Sequence, residues 1–289
     1  MNISGNTIMK SKFILFIMLL LSSFCSLAGK TAEKPLLHIQ CGDIGIFLAP
    51  HLFWNLNGIT CKDLFPGRQD HGFYGTVIRY DVGWVGTGHL ENGIGETDLK
   101  VEFTRDGKPF TPGEATVECK SFTMTKRSKL HHAELVYQLK LADGVLAESA
   151  ALHFPEKQDL KIIYNFMHPW HNSFEDYRVL AADGRADSGN MPRSEKGKMI
   201  TFAEPMIASF YSKEWNMAVV SRVSAEPGSP LGDWLFWNRG EQDRKMYFRP
   251  LFNAAVPAGS RFKWSMQTVF HPATPAEWNK LDLKKCFPE

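Results

Sequence analysis

The strongest constraint in this sequence is an alternation of apolar and polar side chains with period two. It recurs from about Ile44 to His271, while helical periodicity is almost absent. Successive side chains of a strand point to opposite faces, so this pattern describes strands with one face buried. Residues 131–141 set Ala133, Leu135, Tyr137, Leu139 and Leu141 on one face, against Glu134, Gln138 and Lys140. An Ala-Asp-Gly turn at 142–144 sends the chain back through 145–154 as a hairpin, and a turn over 155–159 leads into another strand at 160–167. Upstream, 99–104 precedes the turn Arg105-Asp106-Gly107-Lys108, and alternation resumes over 115–124. Near the end, Phe262, Trp264, Met266 and Phe270 oppose Arg261, Lys263, Gln267 and His271. The exception is Thr274-Pro275-Ala276-Glu277, a capping box with proline at the first helical position, which opens a short helix to about Leu281.

Antiparallel strands at this spacing, without helices between them, predict an all-β chain: a large antiparallel β-sandwich or barrel with a short C-terminal helix. No repeat or low-complexity linker divides residues 29–289, which read as a single β-sandwich domain. The stretch 182–198, rich in Gly, Asp, Ser and Arg, reads as a long loop without strand pattern.

Residues 1–28 read as a signal peptide: Lys10 and Lys12, an apolar run from Phe13 to Leu21, then the small-x-small Ser26-Leu27-Ala28. A periplasmic or secreted location is expected, with Cys25 leaving a lipoprotein alternative that the bulky Phe24 disfavours. No later segment is long and apolar enough to span a membrane as a helix. Four cysteines follow, Cys41, Cys61, Cys119 and Cys286, which can pair in three ways. Cys41–Cys61 would close the shortest loop. Their spacing contains no CxxC, so a zinc-thiolate site is not expected. A formal charge of +2 with interspersed signs gives no nucleic-acid footprint. The one basic cluster, Lys126, Arg127 and Lys129, reads as a solvated strand edge or turn.

Chemistry-bearing residues concentrate at 160–177, LKIIYNFMHPWHNSFEDY. An apolar strand of Leu160, Ile162, Tyr164 and Phe166 is expected to stop at Pro169, with Asn172, Glu175, Asp176 and Tyr177 crowding its end. His168, His171 and Glu175 are the residue types zinc uses, but the familiar HExxH geometry needs a helix, and Pro169 opposes one. No metal or cofactor is therefore expected. Acid–base work by the imidazoles and carboxylates is the functional alternative to a hydrogen-bonded loop pair. In 71–81, HGFYGTVIRYD, a strand delivers Arg79 and Asp81 to one face and Tyr80 to the other. The guanidinium can bind vicinal hydroxyls or a carboxylate through two hydrogen bonds, or can simply pair with Asp81. The glycines of 83–89, GWVGTGH, lack the order and following helix of a phosphate loop and read as bulges or close backbone approaches. His131-His132 reads as surface. Trp234-x-x-Trp237, followed by Asn238-Arg239, is either a stacking platform for a pyranose or core packing. No GxSxG elbow is present.

Two of these stretches resemble the galactose-mutarotase-like β-supersandwich superfamily. Phe73-x-Gly75-x-x-x-Arg79-Tyr80 is similar to the FGxxxGRYxNR stretch of aldose 1-epimerases, although Asp81-Val82 stands where that family has Asn-Arg. Tyr164-Asn165-Phe166-Met167-His168-Pro169-Trp170 is similar to their TNHxYF stretch. The resemblance implies a sugar ligand role for Arg79 and a proton-donor role for His168. Thr87-Gly88-His89 is the nearest counterpart of the family's other histidine motif, and Phe202-Ala203-Glu204-Pro205 resembles the surroundings of its glutamate base.

The resulting expectation is an exported protein that binds a sugar or glycan in a cleft, with epimerase-like proton transfer as its possible chemistry. The catalytic candidates are His168, His171, Glu175 and Glu204. The substrate-binding candidates are Arg79, Asp81, His89, Trp170, Tyr177, Trp234 and Trp237. A polysaccharide lyase acting by β-elimination on a uronate, and a non-catalytic carbohydrate-binding or envelope module, are the alternatives. Convergence of Arg79, His89, His168, Glu175 and Glu204 on one cleft favours an enzyme; scatter favours a module.

Overall fold

In the computed structural model, which describes residues 35–68, 72–89, 94–113 and 115–288, the alternation resolves into two sheets. The expected signal peptide, Cys25 and His71 lie outside the described residues. A meander of β1 (Leu37–Cys41), β2 (Ile44–Ala49), β3 (Asn55–Cys61) and β4 (Leu64–Gly67) opens the chain, followed by a hairpin of β5 (Tyr74–Tyr80) and β6 (Gly83–Gly86). Then come β7 (Glu96–Arg105), β8 (Lys108–Phe110) and the short β9 (Thr116–Cys119). The long hairpins are β10 (Ser121–Leu130), β11 (Ala133–Ala142) and β12 (Val145–Phe154), leading into β13 (Gln158–His171). After β14 (Phe174–Ala181), β15 (Ala186–Asn190), β16 (Met199–Ala203), β17 (Pro205–Ser212) and β18 (Met217–Ala225), the chain ends in β19 (Asp233–Asn238), β20 (Asp243–Val256), β21 (Ser260–Pro272) and α1 (Pro275–Lys280).

The first sheet runs β16-β19-β20-β13-β4-β3-β2-β1-β9, with β5 also paired to β13 and β6 to β5. The second runs β15-β14-β17-β18-β21-β12-β11-β10-β7-β8. Only β1–β9 is parallel; the other described ladders are antiparallel. The inner faces meet in one core. Trp234 packs on Phe248 at 5.9 Å, and Phe248 reaches Trp264 of the second sheet at 6.5 Å. The expected hairpin 131–154 and the alternation over 260–272 are both present.

The outer face of the second sheet is covered in part by the C-terminal segment. Thr274 caps α1, accepting from the Glu277 N–H while the Glu277 side chain accepts from Thr274, as the capping box predicts. This turns Trp278 onto Tyr211, ring stacked on ring at 4.8 Å, within a satellite apolar cluster that includes Val220, Val269, Leu283 and Phe287. Among the described residues, no such element lies on the outer face of β16, β19, β20, β13, β5 and β6.

Several local expectations are corrected. The stretch 182–198 contains a strand, β15, paired to β14 despite its polar composition. Lys126 is not solvated: it is fully buried and its ammonium lies 2.9 Å from the equally buried Glu96 carboxylate. β13 runs through Pro169 to His171. Proline lacks an N–H, and the Pro169 carbonyl accepts from Arg68 on the side where the neighbour changes from β5 to β4. The missing donor therefore falls at a break in the ladder, which a central strand tolerates. Cys41 and Cys61 lie two strands apart, so the shortest-loop disulfide is out of reach. Among the described residues, no group of His, Cys, Asp and Glu is arranged to hold a metal ion, and no helix is long and apolar enough to cross a membrane.

Candidate functional site

Strand parity on the first sheet decides which side chains reach solvent. Register pairs Met199 with Trp237 and Trp237 with Lys245 in one row, and Leu235 with Tyr247 in the next. Ile162 pairs with Arg79 and Arg79 with Trp84, while Tyr164 pairs with Val77. Directly opposed residues share a face. These rows therefore bring Trp84, Ile162, Tyr164, Met199, Leu235, Trp237, Tyr247 and Arg249 around an open, almost wholly apolar groove of about 220 Å³.

Within it Tyr164 stands edge-on to Tyr247 at 5.2 Å and tilted against Trp84 at 5.6 Å. A second depression of about 480 Å³ continues past Trp84 and Ile162 along Arg79, Asp81, Lys161 and Phe252. Phe252 is 60% exposed, a large ring left in water. Guanidinium groups border these rings: Arg79 lies 5.4 Å from the Trp84 centroid, Arg239 5.5 Å from Trp237 and Arg249 5.1 Å from Phe252. Arg249 is held by a two-pronged pair to Asp233, at 2.8 and 2.6 Å. At one end Lys245 is mostly buried beside Trp237. Burial pushes its ammonium down to about 8, reinforced by Arg239 and opposed by Asp243. Burial raises the Tyr247, Tyr164 and Tyr74 phenols, so they remain neutral hydrogen-bonding groups at physiological pH.

Of the expected ligands, Arg79 and Trp237 border this surface. Asp81 lies at its far end, strongly exposed and 3.3 Å from Lys161, not paired with Arg79. His89 meets Tyr74 edge-on at 5.3 Å. The other aromatics face inward. Trp170 and Trp234 are fully buried, and Tyr177 packs against Phe202 and Phe236 at 5.5 and 5.8 Å. The physical reason is parity: residues three apart on a strand point to opposite faces, so Trp234 enters the core while Trp237 leaves it.

His168 is 1% exposed. Its Nε2 lies 2.7 Å from Glu148 Oε2 but off the direction of an aligned hydrogen bond, while the Tyr137 hydroxyl donates to Glu148 Oε1 at 2.5 Å. This histidine belongs to a polar cluster between the sheets, continued by Lys126 5.8 Å over the Tyr137 ring and by Glu96, which accepts from Ser128 at 2.6 Å. Enclosed on every side, His168 cannot protonate a sugar oxygen in this conformation.

His171 and Glu175 do come together in a second polar cluster. His171 stacks on Trp215 at 4.4 Å and its Nδ1 contacts Ser173 Oγ at 2.9 Å. Burial pushes its pKa down, helped by the charge of Arg68. Glu175 pairs with Arg193 at 3.3 Å and Arg244 at 3.8 Å. Glu204 is elsewhere, exposed and 3.2 Å from Arg185. The five residues named as the test of an enzyme thus scatter: Arg79 borders the groove, His89 meets Tyr74, His168 lies in the core, and Glu175 and Glu204 sit in separate ion-pair clusters. Sequence reasoning missed Trp84, Tyr164, Leu235, Tyr247 and Arg249 as groove residues. Counting parity outward from Trp237 and its partner strand would have found three of them.

Solved structures share this architecture. A galactose mutarotase-like protein from Lactobacillus casei ATCC 334 aligns with a TM-score of 0.50 and 9% identity, over 82% of this chain and 100% of that one. A protein from Escherichia coli K12 provisionally named an aldose 1-epimerase aligns at 0.51 with 8% identity, over 82% and 98%. The galactosidase domain of an alpha-galactosidase-sucrose kinase aligns at 0.51 with 10% identity, over 83% of this chain and 41% of that one. No protein-family model matches the sequence, and no curated protein matches it. The chain has the galactose-mutarotase-like β-supersandwich fold that its two short motifs implied, and at these identities the likeness is one of fold alone.

Proposed function

We propose that this protein binds a carbohydrate chain across the outer face of its first sheet. The observation that carries the reading is the groove in which Trp84, Tyr164, Trp237 and Tyr247 surround one open apolar surface bordered by arginines. The C–H face of a pyranose packs on such rings, and a guanidinium donates paired hydrogen bonds to vicinal hydroxyls or a carboxylate. The surface crosses β16, β19, β20, β13, β5 and β6; at about 4.8 Å between strands, five intervals span roughly 24 Å. That length suits several linked sugar units better than one. The fold supports the same ligand class, since related sandwiches carry mutarotase and galactosidase names.

The test is retention of labelled mono- and oligosaccharides, neutral and uronate-containing, on the immobilised protein. Binding is expected to strengthen with chain length. Trp84→Ala and Trp237→Ala should each weaken it at least about tenfold, equivalent to about 1.4 kcal/mol. Unchanged retention by both folded variants would sink the proposal.

A second reading, proton transfer on the bound sugar, is favoured by Lys245 and not by His168. An amine held near pH 8 beside the groove can act as a base at neutral pH. β-Elimination of a uronate would yield an ultraviolet-absorbing unsaturated product, and epimerisation only a change in optical rotation. Neither signal over a broad panel of sugars leaves binding as the function. Export to the periplasm or medium is part of the proposal, resting on the Lys10–Ala28 pattern; N-terminal sequencing of the secreted chain should begin at Gly29.

A further inference from the structure

Cys41 ends β1 and Cys119 ends β9, and the two are direct partners in the single parallel ladder among the described residues. Their sulfurs are 2.6 Å apart, closer than unbonded sulfur atoms rest. Neighbouring strands lie about 4.8 Å apart, within the roughly 4.4–6.8 Å that a disulfide requires between Cα atoms. Pairing of Cys41 with Cys61 fails on the same measure. Cys41 partners Ile44, and Ile44 partners Cys61, so Cys61 lies two strand spacings away, about 9.6 Å. Cys286 sits in the C-terminal turn Leu283–Cys286, packed with the satellite cluster on the second sheet.

We propose that Cys41 and Cys119 form a disulfide that staples the edge strand β9 to β1, while Cys61 and Cys286 remain thiols. The inference is independent of the groove. Among the described residues, the four-residue β9 pairs only with β1. It leads through Lys120 straight into β10, so the bond lies where the chain crosses from one sheet to the other. That crossing already has a clamp: the Asp106 carboxylate accepts from the Lys120 and Ser121 backbone N–H groups at 2.8 and 2.9 Å. A covalent link there fixes a short strand edge and closes a loop whose ends are 78 positions apart.

The chemistry requires a disulfide donor, such as oxidised glutathione or a disulfide-carrying oxidoreductase. Cys119 is the more exposed of the two. Its thiolate attacks the donor disulfide, releasing one donor thiolate and forming a mixed disulfide. The Cys41 thiolate then attacks Cys119 Sγ, releasing the second donor thiolate. The protein loses two protons and two electrons, and the donor disulfide becomes two thiols.

The folded protein, reduced and then incubated with oxidised glutathione, is alkylated and digested without reductant for peptide mass spectrometry. The expected result is a crosslinked pair of peptides holding Cys41 and Cys119, with Cys61 and Cys286 alkylated. The oxidised protein should melt roughly 10 °C above the reduced one, because a long loop is closed. Cys119→Ser should melt at one temperature with and without reductant. If that variant fails to fold, the wild-type comparison alone still decides. Alkylation of both Cys41 and Cys119 after oxidation, or a link from either to Cys61 or Cys286, overturns the proposal. A crosslink without a melting shift overturns the stapling role.

Discussion

Lys126 and Glu96 are both fully buried, 2.9 Å apart, and so pose an electrostatic question. Burial pushes the lysine's pKa down and the adjacent carboxylate pulls it back up. The Phe53 carbonyl and Ser128 hydroxyl satisfy further polar atoms of the pair. Removing one partner leaves the other charge desolvated and uncompensated, which costs about 3–5 kcal/mol, whereas removing both costs far less. Lys126→Met should therefore lower stability in urea titration by about that amount, and adding Glu96→Gln should restore much of it. A double-variant loss equal to the sum of the Lys126→Met and Glu96→Gln losses would mean that the pair is not coupled. The sequence hid this pair because Lys126 reads as part of a basic run, Lys126-Arg127-x-Lys129. Only the opposing sheet reveals that its parity points inward. His168 was misjudged for a related reason. Strict alternation puts Leu160, Ile162, Tyr164 and Phe166 on one face, but Phe166 has φ 53° and the ladder to β20 shifts register on both sides of Asn165. The bulge sends Ile162 and Tyr164 outward while Phe166, His168 and Trp170 enter the core, and no residue in the stretch announces it.

At the level of elements the legible parts were those whose signals are local. Alternation gave the hairpin of β11 and β12, and the capping box gave α1 with its cap geometry. β15 was illegible, since Ala186–Asn190 carries no apolar alternation and is a strand only because β14 offers it a ladder. One turn supports the groove directly. Gly232 precedes β19 with φ 59°, a conformation that side chains disfavour, and a Cβ there would overlap the Arg249 carbonyl oxygen. Its own carbonyl accepts from the Glu204 N–H at 3.0 Å. Gly232→Ala must push β19 away from β20, where Asp233 holds Arg249 and Leu235 faces Tyr247. The expected loss is about 1–3 kcal/mol, read as a lower melting temperature. Weakened glycan retention should accompany it, although the substitution touches no groove side chain. A melting temperature equal to wild type would show that the turn relaxes freely.

For the molecule as a whole, the order of strands was beyond reach of the sequence, because β13 finds β20, β4 and β5 across long separations that no local pattern encodes. The consequence of that assembly is that burial raises the pKa of all seven tyrosines. Tyr137 and Tyr164 are raised well above the ordinary value, by desolvation first; Glu148 adds its charge at Tyr137, and Tyr247 adds to the effect at Tyr164. A group with a raised folded pKa contributes stability that is complete below its unfolded value, near 10 for tyrosine, and is lost as pH climbs toward the folded value. In that interval the unfolded chain releases phenolic protons that the folded chain keeps, so stability must fall with pH above about 10. Below that point tyrosine contributes no slope. A spectrophotometric titration should show little phenolate near pH 10, then a cooperative rise coinciding with loss of near-ultraviolet circular dichroism. Reversible ionisation of most tyrosines around pH 10 with the dichroism intact would mean that the aromatic rows of both sheets are open to solvent, and the groove would then lose the neutral phenols on which its proposed sugar contacts depend.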